Sequence, residues 1–93
     1  IDYKATPDWH EETLKLTQGR GADITVEVGG AGTLPRSFMA TRIGGTIGVI
    51  GLLSGMSTLD PMPILRRNLR LQGIYVGSTQ MFEAMNRAIE TAK

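Results

Sequence analysis

The apolar positions of this chain recur at two different periods, and the alternation between them lays out the fold. From Ile24 to Val28 the run Ile-Thr-Val-Glu-Val is rich in β-branched residues. Gly21 precedes it and Gly29-Gly30 follow, which predicts a strand. Thr46 to Leu53 is a largely apolar run, as expected for a parallel strand covered on both faces. Leu69 to Val76 predicts a third strand. Between these runs the period changes. Trp9, Thr13 and Leu16 recur at i, i+4 and i+7, predicting a helix over about 7–18 that starts at Thr6-Pro7 and ends at Gly19. Leu34 and Phe38, with Met39 beside them, predict a second helix from Thr33 to about Thr41, closing on Gly44-Gly45. Pro61 and Pro63 restrict where a short helix over Ile64 to Asn68 can start. After Gly77-Ser78, Thr79 caps a last helix with Phe82, Met85 and Ile89 on its buried face. Ile1, Asp2 and Tyr3 read as the tail of a strand that begins upstream.

Helix and strand thus alternate strictly, which predicts an α/β fold: an open parallel sheet with helices on both faces, in one domain over 1–93. A chain of 93 residues hides only roughly 60 to 65 per cent of the surface its unfolded form exposes, so the core is thin. With 41% hydrophobic and 20% charged residues, disorder is excluded. A formal charge of +1 gives no field that would argue for nucleic acid or an anionic membrane surface. Charges and glycines interrupt every apolar run before it could span a bilayer, so a cytoplasmic location is expected. There is no cysteine and a single histidine, which excludes disulfides, thiolate metal sites and a zinc cage within the chain.

In open α/β sheets ligands bind beyond the carboxyl ends of the strands. Three segments occupy those places: Val28-Gly29-Gly30-Ala31-Gly32, Ile50-Gly51-Leu52 and Ile74-Tyr75-Val76-Gly77. Each carries glycine, which lets main chain approach a flat ring or a pyrophosphate and serves tight strand-to-helix turns equally well. Neither G-x-G-x-x-G nor G-x-x-x-x-G-K-[ST] occurs. Groups for acid–base or nucleophilic catalysis are scarce. His10 falls on the first turn of a helix and reads as a solvated surface residue. Glu27, near the carboxyl end of its strand, could meet a ligand or serve a structural hydrogen bond. Arg66, Arg67 and Arg70 form the one basic cluster and, lacking interleaved aromatics, read as a solvated helix end rather than a nucleic-acid patch. No catalytic residue is assigned.

Four segments are nevertheless distinctive in combination: Leu16-Thr17-Gln18-Gly19-Arg20-Gly21-Ala22-Asp23, Val26-Glu27-Val28-Gly29-Gly30, Gly44-Gly45-Thr46-Ile47-Gly48-Val49-Ile50-Gly51, and Leu71-Gln72-Gly73-Ile74-Tyr75-Val76-Gly77-Ser78. In this order they resemble the zinc-binding medium-chain dehydrogenase/reductase family of alcohol dehydrogenases and quinone oxidoreductases, over nearly the whole chain. The resemblance implies the carboxyl-side half of a Rossmann domain with sheet order 3-2-1-4-5-6: the tail of strand 3 and all of strands 4, 5 and 6. The G-x-G-x-x-G turn and the residue that separates NAD from NADP would lie in the missing half, and zinc ligands in a separate catalytic domain. It further implies that Val28, Gly29 and Gly30 lie beside the nicotinamide-side ribose, that Ile50, Gly51 and Leu52 lie against the nicotinamide ring, and that Ile74, Tyr75 and Val76 meet the carboxamide. The parent would transfer hydride between NAD or NADP and an alcohol or carbonyl substrate. Pairing through strand 69–76 would join two subunits. The competing readings are a stand-alone α/β ligand-binding module and an interaction module that pairs through strand edges without cofactor.

Overall fold

The computed structural model describes residues 1–55 and 57–92. Its elements run α1 (Trp9–Leu16), β1 (Ala22–Glu27), a short 3-10 turn (Gly30–Gly32), α2 (Leu34–Ala40), β2 (Thr41–Val49), α3 (Met62–Arg66), β3 (Arg70–Gly73) and α4 (Thr79–Ala92). The three strands form one parallel sheet in the order β1-β2-β3. This is the expected partial Rossmann architecture, an α/β fold with helices flanking the strands.

The core forms where α2 lies on the sheet. Phe38, at 1% exposure, packs with Ile47 of β2, Leu34 and Leu69, and Val49, Ile64 and Leu71 close around them. Strand alternation explains the choice: Ile47 and Val49 face α2 together with Thr25 and Glu27 of β1, while Ile24 and Val26 point the other way. Ile24 is 68% exposed, so the expected second helical layer is not supplied by the described residues. Every described residue of α4 is exposed too, including Phe82, Met85 and Ile89, which were expected to be buried.

Element boundaries differ from the sequence reading for identifiable reasons. Asp8 rather than Thr6 precedes α1, and Glu11 N–H donates to its carbonyl at 2.9 Å. Leu16 is exposed; Trp9, Thr13 and Thr17 form the half-buried edge instead, the two threonine hydroxyls donating to carbonyls four residues back. Ile1–Tyr3 do not enter the sheet, because Asp2 turns the chain by accepting from Lys4 N–H at 2.9 Å and Thr6 N–H at 2.8 Å. β2 starts at Thr41, five residues earlier than expected, because the pairing jumps from Ala22↔Thr41 to Ile24↔Thr46 and absorbs Arg42–Gly45 as an irregularity rather than a loop. Two contacts hold that irregularity: Arg67 Nη2 donates to the Thr41 carbonyl at 2.7 Å, and Gly44 N–H donates to the Arg67 carbonyl at 2.9 Å. Arg67 is therefore half-buried and supports the end of α2, whereas Arg66 and Arg70 are exposed as expected. β3 is shorter than expected because its neighbour ends at Val49, the partner of Gly73, leaving Ile74–Val76 with no strand to follow.

Two predictions follow from this packing. Phe38→Ala removes the largest fully buried side chain and is expected to cost about 3–5 kcal/mol in a chemical melt, whereas Lys15→Ala, on the exposed face of α1, should stay within about 0.5 kcal/mol. Asp23 accepts from Arg42 Nε at 2.8 Å and meets Arg20 Nη2 at 2.7 Å. The Arg42 hydrogen bond, helped by the Arg20 charge, holds its carboxyl below the ordinary value. A depressed folded-state pKa contributes stability above the unfolded pKa that is lost as pH falls through the folded one. Arg42→Gln should therefore lower the urea midpoint near neutral pH, and the gap from the parent chain should close in acid; a gap that stays constant down the pH series would contradict this.

Candidate functional site at the carboxyl ends of the strands

Parallel pairing places the ends of β1, β2 and β3 side by side, and a ladder of main-chain bonds continues past them. Ile50 N–H donates to the Glu27 carbonyl at 3.0 Å, Leu53 N–H to the Val28 carbonyl at 3.1 Å and Ser54 N–H to the Gly29 carbonyl at 2.7 Å. The Ser54 hydroxyl donates to the same Gly29 carbonyl and accepts from Gly32 N–H at 2.8 Å. On the other side Ile74 N–H donates to the Val49 carbonyl at 2.9 Å. The three segments singled out in the sequence are thus one continuous rim.

Five of the nine residues that the sequence reading assigned to a cofactor, Ile50, Gly51, Leu52, Ile74 and Tyr75, line a single groove of about 410 Å³ with Val49 and Gly73. The groove contains no charged side chain, so a ligand there would be held by main chain and apolar contact. Val28 sits at its β1 side, its carbonyl 3.0 Å from where a Cβ on Gly51 would be. Gly29 lines a neighbouring cavity of about 550 Å³ with Tyr3, Trp9, Arg36 and Ser54. Gly30 is buried and lines a third, with Leu52. Val76 lies past the groove, and Tyr75, 93% exposed, touches the groove at its edge.

Gly30 shows why glycine is needed at the first strand end. Its φ is +83°, and a Cβ would lie 2.9 Å from the Leu52 Cα, a backbone atom that cannot move aside cheaply. The first and second segments are therefore in direct contact through a residue without a side chain.

Beneath this rim lies Glu27, 3% exposed. Its Oε1 accepts from Gly30 N–H at 3.0 Å and from the Thr33 hydroxyl, and its Oε2 from the Ser37 hydroxyl. Of the two roles open in the sequence, the geometry shows the structural hydrogen bonds. Thr33 and Ser37 were missed, although their i, i+4 spacing at the start of an amphipathic helix puts both hydroxyls on one face. Ser54 carried no comparable signal. His10 is half-buried rather than solvated, its ring edge-on to Trp9 at 6.4 Å, and it lies apart from the groove. Among the described residues no group of three or more His, Cys, Asp or Glu could hold a metal, so a zinc ion finds no fitting donor set here. No helix among them is long and apolar enough to cross a membrane.

Gly30→Ala is expected to cost about 1–3 kcal/mol in a urea melt, from its positive φ and from the Leu52 contact. Gly73→Ala, where a Cβ meets nothing within 4 Å and φ is not positive, should be close to neutral. Equal effects at the two positions would contradict the close approach of the first two segments.

Comparison with known proteins places this arrangement. Residues 1–91 match the sequence model of the zinc-binding dehydrogenases. A zinc-type alcohol dehydrogenase-like protein of Schizosaccharomyces pombe is 40% identical over 95 residues, covering 97% of this chain and 28% of its own length. Among solved structures, an NAD-dependent alcohol dehydrogenase superposes with a TM-score of 0.75 at 31% identity, over 95% of this chain and 26% of that one. A crotonyl-CoA carboxylase/reductase superposes with a TM-score of 0.72 at 25% identity, over 89% of this chain and 20% of that one. This chain spans between a fifth and three tenths of the length of these relatives. With a family match over nearly all its residues and the strand-end motifs assembled on one rim, the chain belongs to the zinc-binding dehydrogenase family.

Proposed function

We propose that this chain forms the carboxyl-side half of the cofactor domain of an NAD- or NADP-dependent oxidoreductase, and that its strand-end rim receives the nicotinamide half of the cofactor. The observation that carries this reading is the uncharged groove formed by Ile50, Gly51, Leu52, Ile74 and Tyr75 beside the Val28–Gly30 turn. A nicotinamide ring is flat and takes hydrogen bonds at its carboxamide, which suits a groove lined by apolar side chains and main chain. In this reading Ile50 and Leu52 cover one face of the ring, Gly51 leaves room for it, and the main chain of Ile74–Val76 meets the carboxamide. Val28, Gly29 and Gly30 border the adjoining ribose.

When bound, the cofactor supplies the hydride chemistry, with an alcohol or carbonyl as the other reactant. This chain contributes orientation and water exclusion at the ring, and no proton-transfer residue is assigned within it. A catalytic domain elsewhere in the parent would supply the substrate contacts and any zinc. The similarity to both an NAD-dependent alcohol dehydrogenase and a crotonyl-CoA carboxylase/reductase supports a reductase frame compatible with several substrates. The unpaired far edge of β3, with Ile74–Val76 extended beyond it, supports pairing of two subunits through residues 69–76. A cytoplasmic location completes the proposal.

The test is a nicotinamide-fluorescence titration of the full-length protein that carries this chain, with NADH and NADPH. Binding of at least one is expected. Gly51→Val, which places bulk 3.0 Å from the Val28 carbonyl at the border of the groove, should weaken that binding at least tenfold, or about 1.4 kcal/mol. A folded protein that binds neither cofactor, or binds both as well after Gly51→Val, would contradict the proposal.

A further inference from the structure

Glu27 has no ionic partner among the described residues and lies beneath the rim rather than in it. A carboxylate with 3% exposure is costly to bury, and an apolar residue in the same strand position would pack against Phe38 and Ile47 without that cost. What the carboxylate offers is acceptor capacity in three directions, and the structure uses it on three donors, one from the turn after β1 and two from α2 and its cap. Oε1 takes Gly30 N–H at 3.0 Å, in the turn after β1, and the Thr33 hydroxyl, at the start of α2; Oε2 takes the Ser37 hydroxyl, one turn further along.

These bonds are unequal in consequence. The Ser37 bond ties α2 to the sheet, where the core already holds it. The Gly30 bond acts on a residue at φ +83° whose Cα side faces Leu52 at contact distance. Gly30 is followed by Gly32, whose N–H is held by Ser54, and preceded by Gly29, whose carbonyl takes two donors from Ser54. A turn of three glycines in four residues has many alternative conformations, and here a single buried acceptor fixes its inward-facing amide.

We infer that Glu27 is a positioning residue for the cofactor site: its carboxylate sets the path of the Gly29–Gly32 turn, and through the Gly30–Leu52 contact it sets the width of the groove. The inference rests on the nicotinamide reading above. A purely structural Glu27 would affect folding alone; a positioning Glu27 affects the occupied groove separately from folding.

Three variants of the full-length protein separate these roles: Glu27→Gln, Glu27→Ala and Ser37→Ala. Each is measured for melting temperature, for Kd of NADH and NADPH by nicotinamide fluorescence, and for KM and kcat with the better cofactor. Glu27→Gln keeps a carbonyl oxygen for Gly30 N–H, and the Ser37 hydroxyl can turn to accept from its amide, so Kd should stay within about threefold of wild type. Glu27→Ala leaves Gly30 N–H buried without an acceptor and should raise Kd and the cofactor KM roughly tenfold or more. Ser37→Ala should lower the melting temperature and leave Kd unchanged. Should Glu27→Ala not fold, Glu27→Asp decides, because its carboxyl is withdrawn from Gly30 by one methylene: a raised Kd upholds the inference and a wild-type Kd overturns it. Wild type that binds while Glu27→Ala binds equally well overturns the positioning role alone. Wild type that binds neither cofactor overturns the nicotinamide reading, and the positioning role with it.

Discussion

A buried carboxylate must find donors, and in this chain that demand organises the site. Glu27 ends β1 facing inward, where water cannot satisfy it, and the donors it gathers are Gly30 N–H, Thr33 and Ser37. The end of the strand, the glycine turn and the first turns of α2 are thereby fixed relative to one another. The main-chain ladder from Glu27, Val28 and Gly29 to Ile50, Leu53 and Ser54 carries the constraint to the next strand end. Parallel pairing of β2 with β3 carries it to the third. The rim is continuous because each segment is bonded to the neighbouring strand end, and it can be uncharged because main chain does most of the bonding.

The fold was legible where periodicity was strong. The strand of Ile24–Val28, the helix carrying Leu34 and Phe38, and the order of elements all follow from apolar spacing. The boundaries were less so. Thr41–Gly45 reads as the close of the second helix, yet Thr41 already pairs with Ala22 and Arg42–Gly45 form an irregularity within β2, because Arg67 comes from a distant position to bond Thr41 and Gly44. Ile74–Val76 reads as strand, yet it runs past the end of its neighbour; β-propensity sets what can pair, and the neighbour's length sets how far. Phe82, Met85 and Ile89 give α4 a clear apolar stripe, but periodicity names a face without naming what covers it.

The candidate site was legible through topology. Once the strands were located, the rule that ligands gather beyond their carboxyl ends selected segments that the structure assembles. Gly30 was identifiable as a glycine at a turn, but its contact with Leu52 was not, since nothing in local sequence reports which backbone passes 2.9 Å away. The same holds for Ser54, whose two hydroxyl bonds cross 22 and 25 residues. Long-range hydrogen bonds of this kind turn three short glycine-bearing segments into one surface.

The central claim is that this rim is the cofactor surface, and hydrogen–deuterium exchange of the full-length protein with and without NADH or NADPH tests it most directly. The account predicts that added cofactor slows exchange at residues 28–32, 50–52 and 74–76 while α3, which lines a cavity that includes none of these residues, is unaffected. Cofactor binding that protects other segments and leaves all three strand ends unchanged would contradict it.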